Sequence, residues 1–555
     1  MPVFCCPAVL TEDVFDGILP FIMTKHQSSI LKHVLNVAFA TLLSRVLGLF
    51  RVIFESMTLG GSTLASAWQL AFMIPNMFRR LLGEGALGSA LIPVLIHTEE
   101  KEGIRKMRED LTVVFAVLGG ILALIVVVCS LGAVFLAPLM QKEYWRIALQ
   151  ILPLLMPYAF LICFSGVIGA VLNSRKVFFL PALMAVLLNI LLIAGLAAGF
   201  LANTGKLPEL DWLKNGKGLL DLLSLLVLVS GVIQLVLSLL LLKKHGVFPI
   251  LRKAVFRDWS VLRELWKLVL PGLIGGAALQ ISFLADRILA SWIGPQAVPA
   301  LVYTDRLIDL PIGLLAIGIG SVLMTNMARS AARGDNDEVC RDLTFGLRLI
   351  WFCCIPMAMF LVVFPEPVLR LLLFRGNFTE SDLQEAVQAT FFLGMGLPFF
   401  CSLKVILPVF YAWKQVNKVL KVSILCIIAN IVMNLILMWP LKQGGIALAT
   451  VLSSVLNNIL LLILLARAGL DLPVRSLCWS FVRALLAAVC AGAAGGVLLV
   501  SVFSWYGSRQ VEWLWVLPLL AAVFGMVYLA VHRLSGGRET AEFFLLLRQR
   551  NGRKE

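Results

Sequence analysis

Charge is what this chain has least of. Only 14% of its 555 residues are Asp, Glu, Lys or Arg, 60% are hydrophobic, and the mean hydropathy is +0.95. A soluble globular domain carries about 25% charged residues, so a soluble enzyme is excluded. Period-2 alternation is weak and strand-like segments are few, which argues against a membrane β-barrel. Cysteine occurs eleven times but never as Cys-x-x-Cys, and the five histidines are isolated. The cysteines therefore read as small buried hydrophobes rather than metal ligands or disulfide partners. The first 24 residues lack the basic region of a signal peptide, and Glu12, Asp13 and Asp16 interrupt their apolar part. Residues 1–30 read as a cytosolic extension, with Met23 as an alternative start. No loop is long enough to house an independent catalytic or binding domain, so function must reside in the membrane-embedded helices.

What is present is a succession of apolar runs of roughly 20 residues or more, the length that crosses a bilayer as a helix. Fourteen candidates lie near 31–57, 63–97, 111–138, 144–172, 177–201, 217–242, 260–292, 296–328, 341–373, 379–412, 418–440, 443–468, 476–503 and 512–534. The expected fold is an all-α polytopic membrane protein. Basic residues cluster in alternate loops, for example Arg105, Lys106 and Arg108, then Lys243 and Lys244, then Lys414, Lys418 and Lys421. The intervening loops, such as "GGSTLAS" and "GPQAVPA", carry few, although Lys206, Lys214 and Lys217 weaken the bias in one of them. The positive-inside rule then places both termini in the cytoplasm. The net charge of +15 follows largely from this topology and requires no nucleic-acid partner.

The two halves share landmarks. Arg51 precedes Pro75 by 24 residues, as Arg287 precedes Pro311; Pro157 precedes Asn189 by 32, as Pro398 precedes Asn430. Such a duplication predicts two parallel six-helix lobes around a central cavity, an N-lobe over 31–242 and a C-lobe over 260–468. Two further helices over 476–534 and a cytoplasmic tail over 535–555 follow. This is a transporter architecture, and Gly and Pro within the spans suit helices that bend as lobes rock.

Several ionisable residues fall inside the spans: Arg45, Arg51, Arg79, Arg80, Glu84, Asp286, Arg287, Asp305, Arg306 and Asp309. A central Arg costs about 2.5–3.5 kcal/mol on insertion scales, so this many must face protein or water. Arg80 and Glu84 are spaced to pair on one helix face, as Asp305 and Asp309 are spaced to flank Arg306. For Arg45, and likewise for Asp309, a bland role in an internal ion pair or in snorkelling to an interface stands level with a functional one. For the Arg79–Arg80 doublet a functional role is preferred, because one Glu cannot neutralise two arginines. The excess positive charge suits an anion, and the planar Arg donor fork suits phosphate. The expected cargo is a phosphate-bearing amphiphile.

"SRVLGLFR" (44–51), "IPNMFRRLLGEGALGSALIPVL" (74–95), "PYAFLICFSGVIGAVLNSRKVFFLPALMAVLLNI" (157–190) and "VYTDRLIDLPIGLLAIGIGS" (302–321) resemble the MurJ/MviN family of lipid II flippases, within the MOP exporter superfamily. The resemblance implies translocation of undecaprenyl-pyrophosphate-linked peptidoglycan precursor from the cytoplasmic to the periplasmic leaflet of the bacterial inner membrane, by alternating access. Its implied substrate-binding residues are Arg45, Arg51, Arg79 and Arg306, with Arg80, Glu84 and Asp305 beside them. It further implies a groove on the last two helices for the polyprenyl tail, no enzymatic activity, and no cofactor. Membrane lipids and the cell-wall synthesis machinery are the implied surroundings. Membrane potential or a monovalent cation would supply the energy, with Asp286 as the candidate coupling acid and a salt bridge as its alternative role.

This chain departs from the family pattern at Val52 and Ser66, where many members have Asp, and in "FYAWKQVNK" (410–418), which lacks a further Asp and Pro. The last departure removes one potential cation ligand. Competing readings are an exporter of another polysaccharide-lipid precursor or a drug, a membrane-embedded lipid-linked glycosyltransferase, and a division scaffold. Arginines disfavour cationic drugs, the absence of a large loop disfavours the enzyme, and a scaffold needs no costly interior charge.

Overall fold

A computed structural model describes residues 25–83, 86–175, 177, 179–206, 212–214, 216–250, 259–506, 513–537 and 539–540. Among the described residues the regular structure is helical throughout, with no strand. Helix α1 (Lys25–Leu59) ends in a tight turn at Gly60, whose φ of 59° suits glycine. Ser62 caps α2 (Thr63–Phe78), its side chain accepting a hydrogen bond from the Ala65 N–H at 3.3 Å. Pro75 has no N–H to give to the preceding turn, and the chain passes into a π-helical turn, Arg79–Gly83. Next comes α3 (Ala86–Leu136), broken at Gly103, where φ is 85°. The lobe is completed by α4 (Glu143–Ser174), α5 (Phe179–Asn203) and α6 (Gly216–Lys244). Here α1 packs on α5, α2 and α3 pack on α4, and α6 packs on both α4 and α5.

The second half repeats this plan. It runs through α7 (Ser260–Ile293), α8 (Ala297–Pro311), a second π-helical turn (Ile312–Ala316) and α9 (Ile317–Ala332). Then follow α10 (Asn336–Val363), a short α11 (Pro365–Leu373), α12 (Glu380–Met395), α13 (Leu397–Ala412) and α14 (Val416–Arg467). The last of these is broken at Lys442, with φ 48° and ψ −133°. A final hairpin, α15 (Val474–Tyr506) and α16 (Trp513–Leu534), packs chiefly against α10. Eight described helices are long and apolar enough to cross a membrane, or nine if the α12–α13 pair, bent by 40°, is one span. With α3 and α14 each broken into two passes this makes ten or eleven, and counting α1, α7 and the α8–α9 pair as well is consistent with about fourteen crossings. The expected span 341–373 differs in detail: α10 stops at Val363, because Pro365 and Pro367 start a separate short helix.

The duplicated landmarks occupy matching places. Pro75 and Pro311 each lead into a π-helical turn, and Arg51 and Arg287 lie on the helices before them. Asn189 on α5 ties back to α1 through the Ser44 carbonyl at 3.2 Å. Asn430 on α14 ties back to α7, accepting from Ser282 Oγ at 3.3 Å. In each half a buried amide thus fastens the lobe's first helix.

Between the lobes, α7 is shared. Val261, Leu265 and Val269 of its first half sit in the core of the first lobe with Leu91, Leu111 and Val167. Its second half packs against α14 of the second lobe. At the end bearing the Gly60 turn, the lobes meet directly. Tyr303 donates to the Gly60 carbonyl (2.9 Å), Asn377 Nδ2 to the Thr58 carbonyl (2.7 Å), and the Gly61 N–H to Asp382 Oδ2 (3.1 Å). Tyr144 and Trp145 both donate to Ser291, and Ser66 to the Pro295 carbonyl. Three glycines permit this approach. An added Cβ would lie 2.4 Å from the Asn377 carbonyl oxygen at Gly60, 2.2 Å from Asp382 Oδ1 at Gly61, and 2.3 Å from the Met57 carbonyl oxygen at Gly376.

Candidate functional site: a cationic cavity between the lobes

Between the closed end and the basic-loop end lies a cavity of about 820 Å³, toward the upper end of the roughly 300–1,000 Å³ range of small-molecule sites. Its lining carries five cationic side chains, Arg51, Arg80, Arg287, Arg306 and Lys404, against two carboxylates, Asp305 and Asp309. That surplus gives the cavity a positive potential of the sign that suits an anion. Arg287 of α7 is ion-paired with Asp305 of α8, and Arg306 Nη1 lies 3.5 Å from Asp309 Oδ2. The two acids therefore do not flank Arg306 as a symmetric pair. Asp305 belongs to Arg287, which leaves Arg306 with the more exposed Asp309.

Arg51 is 8% exposed and faces the ring of Phe72, 5.8 Å from its centroid. Its Nε is buried with no hydrogen-bond partner. Glu55, one turn further along α1 and 1% exposed, is engaged by Gln69 Nε2. A buried guanidinium N–H without an acceptor is expensive for a structural residue, and it is the group an anionic oxygen would satisfy. Arg80 stacks over Phe283 of α7 at 5.8 Å, bringing the first lobe's π-helical turn to the cavity wall.

Arg79 and Arg45 stand apart from the lining. Arg79 Nε donates to Asn76 Oδ1 at 2.9 Å on its own helix. Arg45 reaches across the interface, donating from Nη1 to the Asp309 carbonyl at 2.7 Å. It lies over Gly313, where a Cβ would come within 2.4 Å of Arg45 Nε. Arg45 thus bonds the backbone of residue 309 rather than its carboxylate. Glu84, the expected partner of Arg80, lies outside the described residues.

Asp286 does not join this cluster. It is 8% exposed, takes a hydrogen bond from Asn434 Nδ2 at 2.6 Å, and has Thr450 Oγ1 at 3.5 Å. Among the described residues it makes no salt bridge, so the alternative role expected for it is not observed. Asn430 joins the same group through Asn434, while Asn434 Oδ1 is buried without a partner.

Sequence alone does not single out Glu55, Lys404 or Asn434. Glu55 carried a signal, its i, i+4 spacing from Arg51 on an apolar helix. Lys404 resembles an interfacial lysine until α13 is seen to border the cavity.

Two pseudo-repeated six-helix lobes, closed at one end around a cationic cavity, are a membrane-transporter architecture, and the fold is shared with solved transporters of the MOP superfamily. A solved inward-facing multidrug resistance MATE transporter of that superfamily matches 77% of this chain and 94% of its own with a TM-score of 0.59 at 15% identity. A solved structure described as "Lipid II flippase MurJ, inward closed conformation" matches 90% of this chain and 98% of its own, with a TM-score of 0.72 at 20% identity. The model of the lipid II flippase MurJ family matches residues 56–517, and the chain belongs to that family. Its sequence is 30% identical over 508 residues to the "Probable lipid II flippase MurJ" of Haemophilus influenzae, covering 87% of this chain and 96% of the relative. It is 29% identical over 456 residues to the "Lipid II flippase MurJ" of Burkholderia cenocepacia, covering 80% and 85%. As a flippase-family member the chain is a transporter, a polytopic membrane protein with bacterial relatives.

Proposed function

We propose that this chain carries lipid II from the cytoplasmic to the periplasmic leaflet by alternating access, with both termini in the cytoplasm. The observation that carries the reading is the cavity's surplus of guanidinium groups, including a buried Arg51 Nε with no acceptor. Arg51 and Arg306, from opposite lobes, hold the pyrophosphate, and Arg80 adds a third fork. Arg79 and Arg45 act at the edge, Arg79 by orienting the π-helical turn and Arg45 by pinning α1 to residue 309. Asp305 keeps Arg287 from overcharging the site. The end at which the lobes are joined, around Gly60, faces the periplasm in this reading, so the headgroup enters from the cytoplasmic side. Lobe rotation then exchanges the closed end. The apolar outer faces of α15 and α16, where Val497, Trp515 and Met526 are strongly exposed, accept the polyprenyl tail.

Energy comes from the membrane potential or from a monovalent cation, the latter at Asp286. Its surroundings offer an ion one carboxylate, the Thr450 hydroxyl and the side-chain oxygens of Asn430 and Asn434, of which Asn434 Oδ1 is unsatisfied. The Asn434 amide N–H that now holds Asp286 would turn away as the ion enters. One carboxylate among neutral oxygens suits a hard ion of single charge. Contact with the cell-wall synthesis machinery is part of the same proposal.

The test is complementation. The chain is expressed in a bacterium depleted of its own lipid II flippase, and periplasmic exposure of labelled lipid II is followed. Each charge-assisted hydrogen bond to phosphate is worth about 1.5–3 kcal/mol. Arg51→Ala and Arg306→Ala should therefore each lower exposure at least tenfold at equal expression. Full rescue by both variants would remove the arginines from the mechanism.

A further inference from the structure

A second polar cleft, of about 530 Å³, opens at the basic-loop end of the second lobe. It lies between the first half of α10, the turn leading into α15, and Glu539 beyond α16. Asp337, Arg341, Thr344 and Arg348 follow one another along a single face of α10, spaced at successive turns. Arg348 is deepest along the helix. It donates from Nη2 to Ser476 of α15, while its Nε is buried without a partner. Thr344 is 8% exposed, and its hydroxyl has no oxygen or nitrogen partner, only the Cys340 thiol beside it. Toward the helix start, Asp337 and Asp471 line the cleft, and neither makes an ion pair among the described residues. Glu539 is already held by Ser480 Oγ at 2.8 Å, and Cys340 Sγ fixes the turn by bonding the Asp471 carbonyl at 3.2 Å.

The cleft therefore presents two donors lacking an oxygen acceptor on its inner side and two carboxylates lacking a cation on its outer side. Along α10 this order runs from inside the membrane outward, because the helix starts at Asn336 beside charged Asp335 and continues into the apolar "LIWFCCIPMAMFLVV". Phe345 on the same stretch is 48% exposed, and Val474 and Trp479 on α15 are 60% and 54% exposed, which gives apolar surface for acyl chains beside the cleft. We propose that the cleft binds the headgroup of a zwitterionic phospholipid of the phosphoethanolamine type. The phosphate sits on Arg348 Nε and the Thr344 hydroxyl, with Arg341 nearby, and the primary ammonium sits between Asp337 and Asp471. Such a lipid presents acyl chain, phosphate and ammonium in that order toward the membrane surface, which is the order of the complementary groups. A phosphatidylglycerol headgroup would leave both carboxylates without a cation. A choline headgroup has no N–H to give them. The assignment is independent of the cargo of the central cavity.

The test uses the full chain, purified in mild detergent and then exposed to equimolar dioleoyl phosphatidylethanolamine, phosphatidylglycerol and phosphatidylcholine, with retained lipid measured by native mass spectrometry. The expected result is at least tenfold retention of the ethanolamine lipid over either competitor. In the Asp337→Asn, Asp471→Asn double variant, whose changes are at the cleft's outer edge, the ethanolamine-to-glycerol ratio should fall to about one while lipid remains bound. In Thr344→Val, retention of all phosphate-bearing lipids should fall together. Equal retention of the three lipids by the native chain would overturn the proposal, as would an undiminished ethanolamine preference in the double variant. Displacement of the lipid by soluble glycerophosphoethanolamine at equal concentration would overturn the lipid assignment in favour of a free metabolite.

Discussion

Replacing Gly61 by Ala tests whether the closed end of the molecule is a latch. Gly61 does not require a left-handed backbone, so alanine is acceptable to the chain itself, unlike at Gly60. What alanine meets is Asp382, with its Oδ1 2.2 Å and its Cγ 2.5 Å from the new Cβ. Asp382 has little room to yield. It is 6% exposed, caps α12 by accepting from the Thr379 N–H at 2.9 Å, and accepts from Gln296 Nε2 at 3.1 Å. The lobes must therefore separate locally and forfeit the Gly61 N–H to Asp382 bond. A hydrogen bond to a charged group contributes about 1.5–3 kcal/mol, so the open-to-closed ratio at this end should rise by roughly tenfold to a hundredfold. The assay is labelling of Met73→Cys, a cavity-lining position, by a membrane-impermeant thiol reagent applied to the periplasmic face of intact cells. Cys426, which also lines the cavity, is replaced by Ser in the background. Gly120→Ala serves as the control, since nothing lies within 4 Å of its added Cβ. A labelling rate in Gly61→Ala equal to that of the control would refute the latch.

Three further outcomes are expected. Gly313→Ala drives a Cβ into the Arg45 guanidinium and breaks its 2.7 Å bond to the Asp309 carbonyl; lipid II exposure in the depletion assay should fall severalfold, with protein level unchanged. Gly166→Ala places a Cβ 2.5 Å from the Gly83 carbonyl oxygen, where α4 crosses the first π-helical turn, and overpacking there should cost about 1–3 kcal/mol, read as a lowered Tm in detergent. Asp286→Asn removes the only carboxylate of its group while keeping the shape; any stabilisation of the purified native chain by sodium over choline chloride should vanish in the variant, and persistence would move the ion elsewhere.

The helices were legible because apolar length and the alternation of basic loops are properties of short windows. Even their breaks left marks, as with Gly103 between the second and third spans. The repeat was legible too, since prolines and arginines recur at fixed separations. What could not be read was partnership across the lobes. Asp305 is four residues from Asp309 in sequence, yet its ion pair is with Arg287 on another helix. Arg45 was weighed as a partner of carboxylates and is found on a backbone carbonyl. Asp382 looks like an ordinary cap at the start of α12, and only the fold brings Gly61 of the other lobe to it. Each of these contacts joins residues that no helical or strand period connects.

The sharing of α7 limits the degrees of freedom of the whole molecule. Two bodies joined only by a loose connector could translate and rotate in six independent ways. Here one continuous helix is cemented at its start into the first body's core and at its end to α14 of the second. Its middle carries the sequence Pro271-Gly272-Leu273-Ile274-Gly275-Gly276, with Gly272 and Gly276 on the cavity wall. Sliding or stretching would tear one of the two anchorages, whereas flexing about this segment disturbs neither. The shared helix therefore favours rocking of the lobes about this segment over sliding or separation, and a hinge beside the cavity lets one mouth widen as the other narrows.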